Sequence, residues 1–172
     1  MLRELYRQCR DRLQDAGIEA ADYEALCLIK HVTGFDRAGL LTYGSQPVND
    51  QQRQRLLALT EKRTTRYPLQ YLLGEWEFMG IPLTVGEGVL IPRDDTELCV
   101  GLCLDYLKTV PHACAADLCA GSGAIALALE QRGGADVTAV ELSDRAFACL
   151  NQNIKRNHSH IRAIQGDILD CH

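Results

Sequence analysis

The stretch from Ala113 to Leu129 restricts the fold more than any other part of the chain. Small and apolar residues, Cys114 to Leu118, run into Cys119-Ala120-Gly121-Ser122-Gly123 and straight on into Ala124-Ile125-Ala126-Leu127-Ala128-Leu129. The first run reads as a buried strand and the last as a helix starting near Ser122. Lacking a Cβ, Gly121 and Gly123 let the backbone turn sharply and let a ligand approach its N–H groups. A strand that passes into a helix must cross back to a parallel neighbour, and such crossovers are right-handed. The downstream pattern supplies them: strand Val137–Glu141, a helix from near Asp144 with Phe147, Leu150 and Ile154 on one face, then strand Ile161–Gln165. The expected class is α/β, with a parallel, doubly wound sheet.

The chain before this point has a different period. Leu2, Leu5, Tyr6, Cys9 and Leu13 recur every 3.6 residues up to Gly17, and Ala25, Leu28, Ile29 and Val32 form a second stripe closed by Gly34. A short segment follows around Asp36–Leu41. Asn49 or Asp50 can cap a further helix before Pro68 forbids continuation. Residues 1–66 are thus expected to form a helical bundle. Trp76–Met79 and Ile81–Val85 flank Gly80 and read as a hairpin within a linker over 67–92. Asp94, Asp95 or Thr96 can cap the next helix, which opens the sheet domain at 93–172 and runs to about Lys108.

Charge and cysteine content exclude several roles. The net charge of −5 is spread as 11 basic and 11 acidic side chains in residues 1–86, against 7 and 12 in residues 87–172. That balance argues against a direct nucleic-acid partner, which would gather Lys and Arg in one region. No apolar run reaches the roughly 20 residues of a bilayer span. The charged N-terminus lacks the apolar stretch of a signal peptide, so a cytoplasmic protein without a membrane partner is expected. The eight cysteines contain no Cys-x-x-Cys pair, so buried reduced thiols are expected and no metal site. His158 and His160 lie in a polar loop and read as solvent-exposed.

Strand two ends at Glu141, about twenty residues beyond the glycine turn. A carboxylate there can accept hydrogen bonds from two vicinal ribose hydroxyls. Three readings of the turn compete: a purely structural bend, a dinucleotide site on the loose Gly-x-Gly-x-x-Ala pattern of Gly121–Ala126, and an S-adenosylmethionine site. Asp117, four residues before Gly121, favours the third, since Asp-x-x-x-Gly-x-Gly resembles the first motif of class I methyltransferases. In similar enzymes an acid at the end of strand three, here Asp167, bonds the adenine amino group, and the next side chain, Ile168, packs on the ring. On this reading Asp117, Cys119, Ala120, Gly121, Ser122, Gly123, Glu141, Asp167 and Ile168 form the cofactor site.

A wider resemblance narrows the substrate. Pro68-Leu69-Gln70-Tyr71-Leu72-Leu73-Gly74-Glu75, Phe78, Gly80 and Val89-Leu90-Ile91-Pro92-Arg93-Asp94-Asp95-Thr96-Glu97 resemble the bacterial release factor glutamine methyltransferase family (HemK/PrmC). The likeness covers essentially the whole chain. It implies a helical substrate-docking domain followed by the first half of a Rossmann-like class I methyltransferase sheet. It further implies methylation of the glutamine side-chain amide in the Gly-Gly-Gln loop of peptide-chain release factors 1 and 2, with S-adenosylmethionine as cofactor. Arg93 becomes a substrate or cofactor contact, or a structural partner of Asp95 or Glu97. Asp94 stands where the family has a second proline, and Cys119-Ala120 where Gly-Thr or Gly-Cys is commoner. The family's catalytic Asn-Pro-Pro-Tyr is absent from residues 1–172; no catalytic residue is expected in this chain, which alone is expected to be inactive. The alternatives are a non-catalytic docking module for a translation protein and a nicotinamide-dependent oxidoreductase.

Overall fold

The computed structural model of the chain describes residues 1–170, and these fall into two compact units that meet between Leu73 and Gly74. Cys171, one of the cysteines expected to be a reduced thiol, lies outside the described residues.

The first unit is helical throughout. Helix α1 (Leu2–Asp15) buries Leu2, Leu5, Cys9 and Leu13, and α2 (Ala21–Thr33) buries Ala25, Leu28 and Ile29 against it. Gly34 ends α2 in the left-handed conformation, φ 78°. Helix α3 (Arg37–Tyr43) is capped by Asp36, whose carboxylate accepts from the Gly39 N–H at 2.8 Å. Helix α4 (Asp50–Thr64) is capped by Asn49, which accepts from Gln52 N at 2.8 Å. Burying a leucine fully contributes about 1.5–3 kcal/mol, and Leu13, Leu28, Ile29 and Leu56 are all fully enclosed. The helices are also tied by one enclosed ion pair. Arg63 donates from Nε and Nη2 to the two carboxylate oxygens of Glu24, at 2.6 and 3.0 Å.

Pro68 does not end the bundle. A proline is tolerated at a helix start because the N–H it lacks has no intrahelical partner there. A short helix α5 (Leu69–Leu73) follows and buries Leu69 and Leu72 in the helical core. The helical unit therefore reaches Leu73, beyond residue 66.

The second unit begins with a hairpin, β1 (Glu75–Phe78) and β2 (Ile81–Thr84), turned at Met79-Gly80 with positive φ at both residues. Phe78, Ile81 and Leu83 are buried in the same core as the sheet helices. The hairpin, placed by the sequence in a linker over 67–92, packs into this unit's core. Helix α6 (Asp94–Leu107) has Arg93 at its N-cap, with no side-chain cap. Asp94, Asp95 and Glu97 instead occupy the first turn, where the helix dipole favours anions.

Strands β3 (Cys114–Leu118), β4 (Asp136–Glu141) and β5 (Arg162–Gln165) pair in parallel in that order. Helices α7 (Ala124–Gly133) and α8 (Asp144–Arg156) supply the crossovers. Because the order runs one way, right-handed crossovers put both helices on one face. Val137, Ala139, Leu127 and Leu150 close that side, while Leu118 and Ile164 on the opposite face are exposed. Among the described residues the sheet is thus covered on one side only, not doubly wound. Four of the seven described cysteines, Cys99, Cys103, Cys114 and Cys119, are exposed and not buried as expected. They sit on the outer side of α6, on the bare sheet face and in the glycine turn. Among the described residues no helix is long and apolar enough to cross a membrane.

Candidate functional site

Backbone geometry shapes the turn after β3. Gly121 has φ 58° and a Cβ there would meet open space, whereas at Gly123, φ 80°, it would come within 2.5 Å of Leu150 Cδ1. The first glycine keeps the loop surface accessible and the second lets the Leu150 side chain of α8 close against the turn. Cys119 also lies in the left-handed region, φ 64°, a conformation that costs an L-residue roughly 1–2 kcal/mol. Helix α7 starts at Ala124, two residues later than expected, with Gly123 as its N-cap.

Three acids surround this turn. Asp117 is 6% exposed, and its Oδ2 accepts from the Ala126 N–H at 3.0 Å, so β3 caps α7 from beneath. Burial pushes the Asp117 carboxyl above the ordinary range; the Ala126 hydrogen bond opposes the rise and the Glu141 charge adds to it. Glu141, at the end of β4, accepts from Gly121 N at 2.8 Å and from Ser143 N at 2.9 Å, one through each oxygen. The helix N-terminus is therefore less open than the sequence suggested, because the protein's own carboxylates hold Gly121 N and Ala126 N. A carboxylate has about four lone-pair sites, so Glu141 can still receive two further donors. Asp167 follows β5, is exposed, and accepts from Leu169 N at 2.9 Å in a local turn.

The structure brings Cys119, Glu141, Asp167 and Ile168 to one cleft of about 70 Å³, together with Val140, Leu142 and Gly166. It lies at the C-terminal edge of the sheet, with no reversal of strand order among the described residues. Asp117 and Ser122 are buried below the loop and shape it; Ala120 and Gly121 are half-buried. Arg93 is exposed and does not line this cleft, and among the described residues it has no ion pair. Its expected partner Glu97 instead accepts from Met79 N at 2.8 Å. His158 and His160 are exposed.

One positioning residue escaped the sequence reading. Asn153 is fully buried on α8 and donates through Nδ2 to the Ser122 and Thr84 carbonyls, both at 2.9 Å. Its Oδ1 accepts from Thr84 N at 2.6 Å. One amide thus joins the glycine turn to the hairpin. The available signal was a polar residue three positions after Leu150, continuing the apolar stripe.

The cleft's chemistry favours a cation. Its lining carries Glu141 and Asp167, with Asp117 just below, and no Lys or Arg. A pyrophosphate would meet repulsion there and would find two of the turn's donors already occupied. Beside the two rim acids the lining is apolar, from Val140, Leu142 and Ile168.

Residues 4–74 match the PrmC N-terminal domain family and residues 115–172 match a methyltransferase domain family. The chain is 36% identical over 171 residues to the release factor glutamine methyltransferase of Geobacter sulfurreducens, covering 98% of this chain and 59% of that protein. The Deinococcus radiodurans enzyme of the same name is 33% identical over 169 residues, with 98% and 61% covered. That of Bordetella pertussis is 38% identical over 159 residues, with 92% and 58% covered. The chain spans about three fifths of the length of these relatives. From its first helix to its third parallel strand, the chain belongs to the release factor glutamine methyltransferase family.

Proposed function

We propose that the sheet unit binds S-adenosylmethionine at the Glu141–Asp167 edge, in the service of methylating a glutamine side-chain amide in peptide-chain release factors 1 and 2, in the cytoplasm. The observation that carries the reading is an acidic, base-free cleft beside a glycine turn. When bound, the cofactor supplies a methyl group on a cationic sulfur. Glu141 would hold the ribose hydroxyls while keeping Gly121 and Ser143 in place. Asp167 would take the adenine amino group, and Ile168 would cover the ring. Asp117, Cys119, Ala120, Gly121, Ser122 and Gly123 would set the loop's shape. Residues 93–172 would act as part of a methyltransferase domain. The helical region 1–66 would dock the release factor, an assignment that rests on its likeness to the PrmC N-terminal domain. No described residue is assigned a catalytic step, so the contribution of these residues is binding and positioning, which supplies much of the rate in reactions of a weak amide nucleophile.

Ultraviolet crosslinking of methyl-labelled S-adenosylmethionine to the chain tests the site. The label should fall on peptides from the β4 and β5 ends and be displaced by S-adenosylhomocysteine but not by NADH. Displacement by NADH would support the oxidoreductase reading instead. A separate capture experiment with purified release factor tests the docking role: retention on the immobilised chain is expected, and no retention would contradict it.

A further inference from the structure

A groove on the helical unit carries positive charge that its own fold pairs only in part. Arg3, Arg7 and Arg10 share one face of α1 and line a cleft of about 510 Å³ with Tyr6, Leu40, Leu41 and a single acid, Asp22. A recess sharing Tyr6, Asp22 and both leucines adds Arg37 and Leu26. Like charges four residues apart oppose helix formation, and Arg3 sits in the first turn, where the helix dipole disfavours a cation. Among the described residues Arg3, Arg7 and Arg37 have no acidic partner. Arg10 pairs with Asp11, Arg3 donates to the Leu41 carbonyl at 3.2 Å, and Asp22 accepts from the Tyr6 hydroxyl. Leu41 lies 69% exposed at the groove's lip.

We propose that this groove is a docking surface for an acidic polypeptide segment that also presents a large apolar side chain. Carboxylates would pair with Arg7 and Arg37, and the apolar side chain would cover Leu41. The match is one of charge: the helical unit holds 11 basic and 9 acidic side chains, in a chain of net charge −5. A nucleic-acid strand would meet the arginines, but it would leave Leu41 uncovered and bring phosphate beside Asp22. The inference deepens the docking role proposed for this unit and is independent of the cofactor reading; failure of release-factor capture with intact peptide binding would remove that role and leave the groove's chemistry standing.

Fluorescence anisotropy with the whole chain tests it. The probes are a labelled peptide of repeated Glu-Glu-Leu, its Gln-Gln-Leu counterpart, and an oligouridine of equal length. The Glu peptide should bind saturably and about tenfold or more tighter than either other probe. Arg7→Glu combined with Arg37→Glu should weaken it by about tenfold or more, and Leu41→Ser by about threefold, with unchanged circular dichroism. Equal binding of the Gln peptide, tighter binding of the oligouridine, no saturation by the Glu peptide, or full affinity in the well-folded charge-reversed chain would each overturn the proposal.

Discussion

The two units use their buried polar groups in opposite ways. In the helical unit, enclosed Glu24 is spent on Arg63 and enclosed Thr60 on the Leu56 carbonyl, so both bonds only hold helices. In the sheet unit Asp117, Ser122, Glu141 and Asn153 are all enclosed and all converge on the glycine turn. The cores differ in the same sense. Long leucines fill the first, while Ala124, Ala126, Ala128 and Ala139 bring backbones close in the second. Charge follows suit, with 7 basic and 14 acidic side chains in residues 74–172. A core built of leucine needs no particular loop geometry. One built around a polar hub fixes a loop, and that is what a binding edge requires.

Asn153→Leu breaks the contrast most severely. It leaves the Ser122 carbonyl and Thr84 N without partners, at about 1–3 kcal/mol each, and leaves the Thr84 carbonyl only the Cys149 thiol. A loss of about 3–5 kcal/mol is expected. Trp76, the single tryptophan, stands in the hairpin of this unit, so denaturation followed by its fluorescence reports the change. Arg63→Met should cost the helical unit about 3 kcal/mol, because Glu24 is left enclosed and uncompensated. Circular dichroism of the helices should register it. A shift below about 1 kcal/mol would mean that Glu24 reaches water easily and that the unit does not depend on its ion pair.

Asp117→Asn sharpens the comparison through pH. The folded Asp117 carboxyl sits above its ordinary range because of burial. Its ionisation therefore opposes folding at neutral pH, and that penalty disappears as pH falls below the ordinary aspartate range. Relative to Asp117→Asn, which cannot ionise but can still accept from Ala126 N, the unaltered chain should gain stability on acidification. A relative loss would show Asp117 to be stabilised as an anion. The smallest effect is at Cys119→Gly, which removes the left-handed strain and should add about 0.5–1 kcal/mol, measured as a rise in melting temperature.

The parts of this molecule written in local pattern were legible in the sequence. The 3.6-residue stripes of α1 and α2, the Asn49 cap and the alternation of β3, α7, β4, α8 and β5 all lie close to where periodicity and glycines put them. Glu141 and Asp167 emerged at one cleft because strand ends in a parallel sheet share an edge. What escaped depends on distant packing. Helix α5 forms because Leu69 and Leu72 find a ready core, not from any propensity of five residues. Nothing local shows that the Asn153 amide reaches Thr84 across 69 positions. Nor does local pattern show that the turn's N–H groups are already held by Asp117 and Glu141. For that reason Glu141→Ala should also cost about 1–2 kcal/mol of stability, since Gly121 N and Ser143 N lose their acceptor.

The central claim is that an acidic edge selects a cationic nucleoside over a phosphorylated one. Titration calorimetry of the chain with S-adenosylmethionine and with NADH, repeated on Glu141→Ala at a temperature where both proteins are folded, tests it directly. Saturable binding of S-adenosylmethionine, weakened about tenfold or more by the substitution, with no heat from NADH, is the predicted result. Binding of NADH as tight as that of S-adenosylmethionine, or equal affinity of both proteins for S-adenosylmethionine, would contradict it.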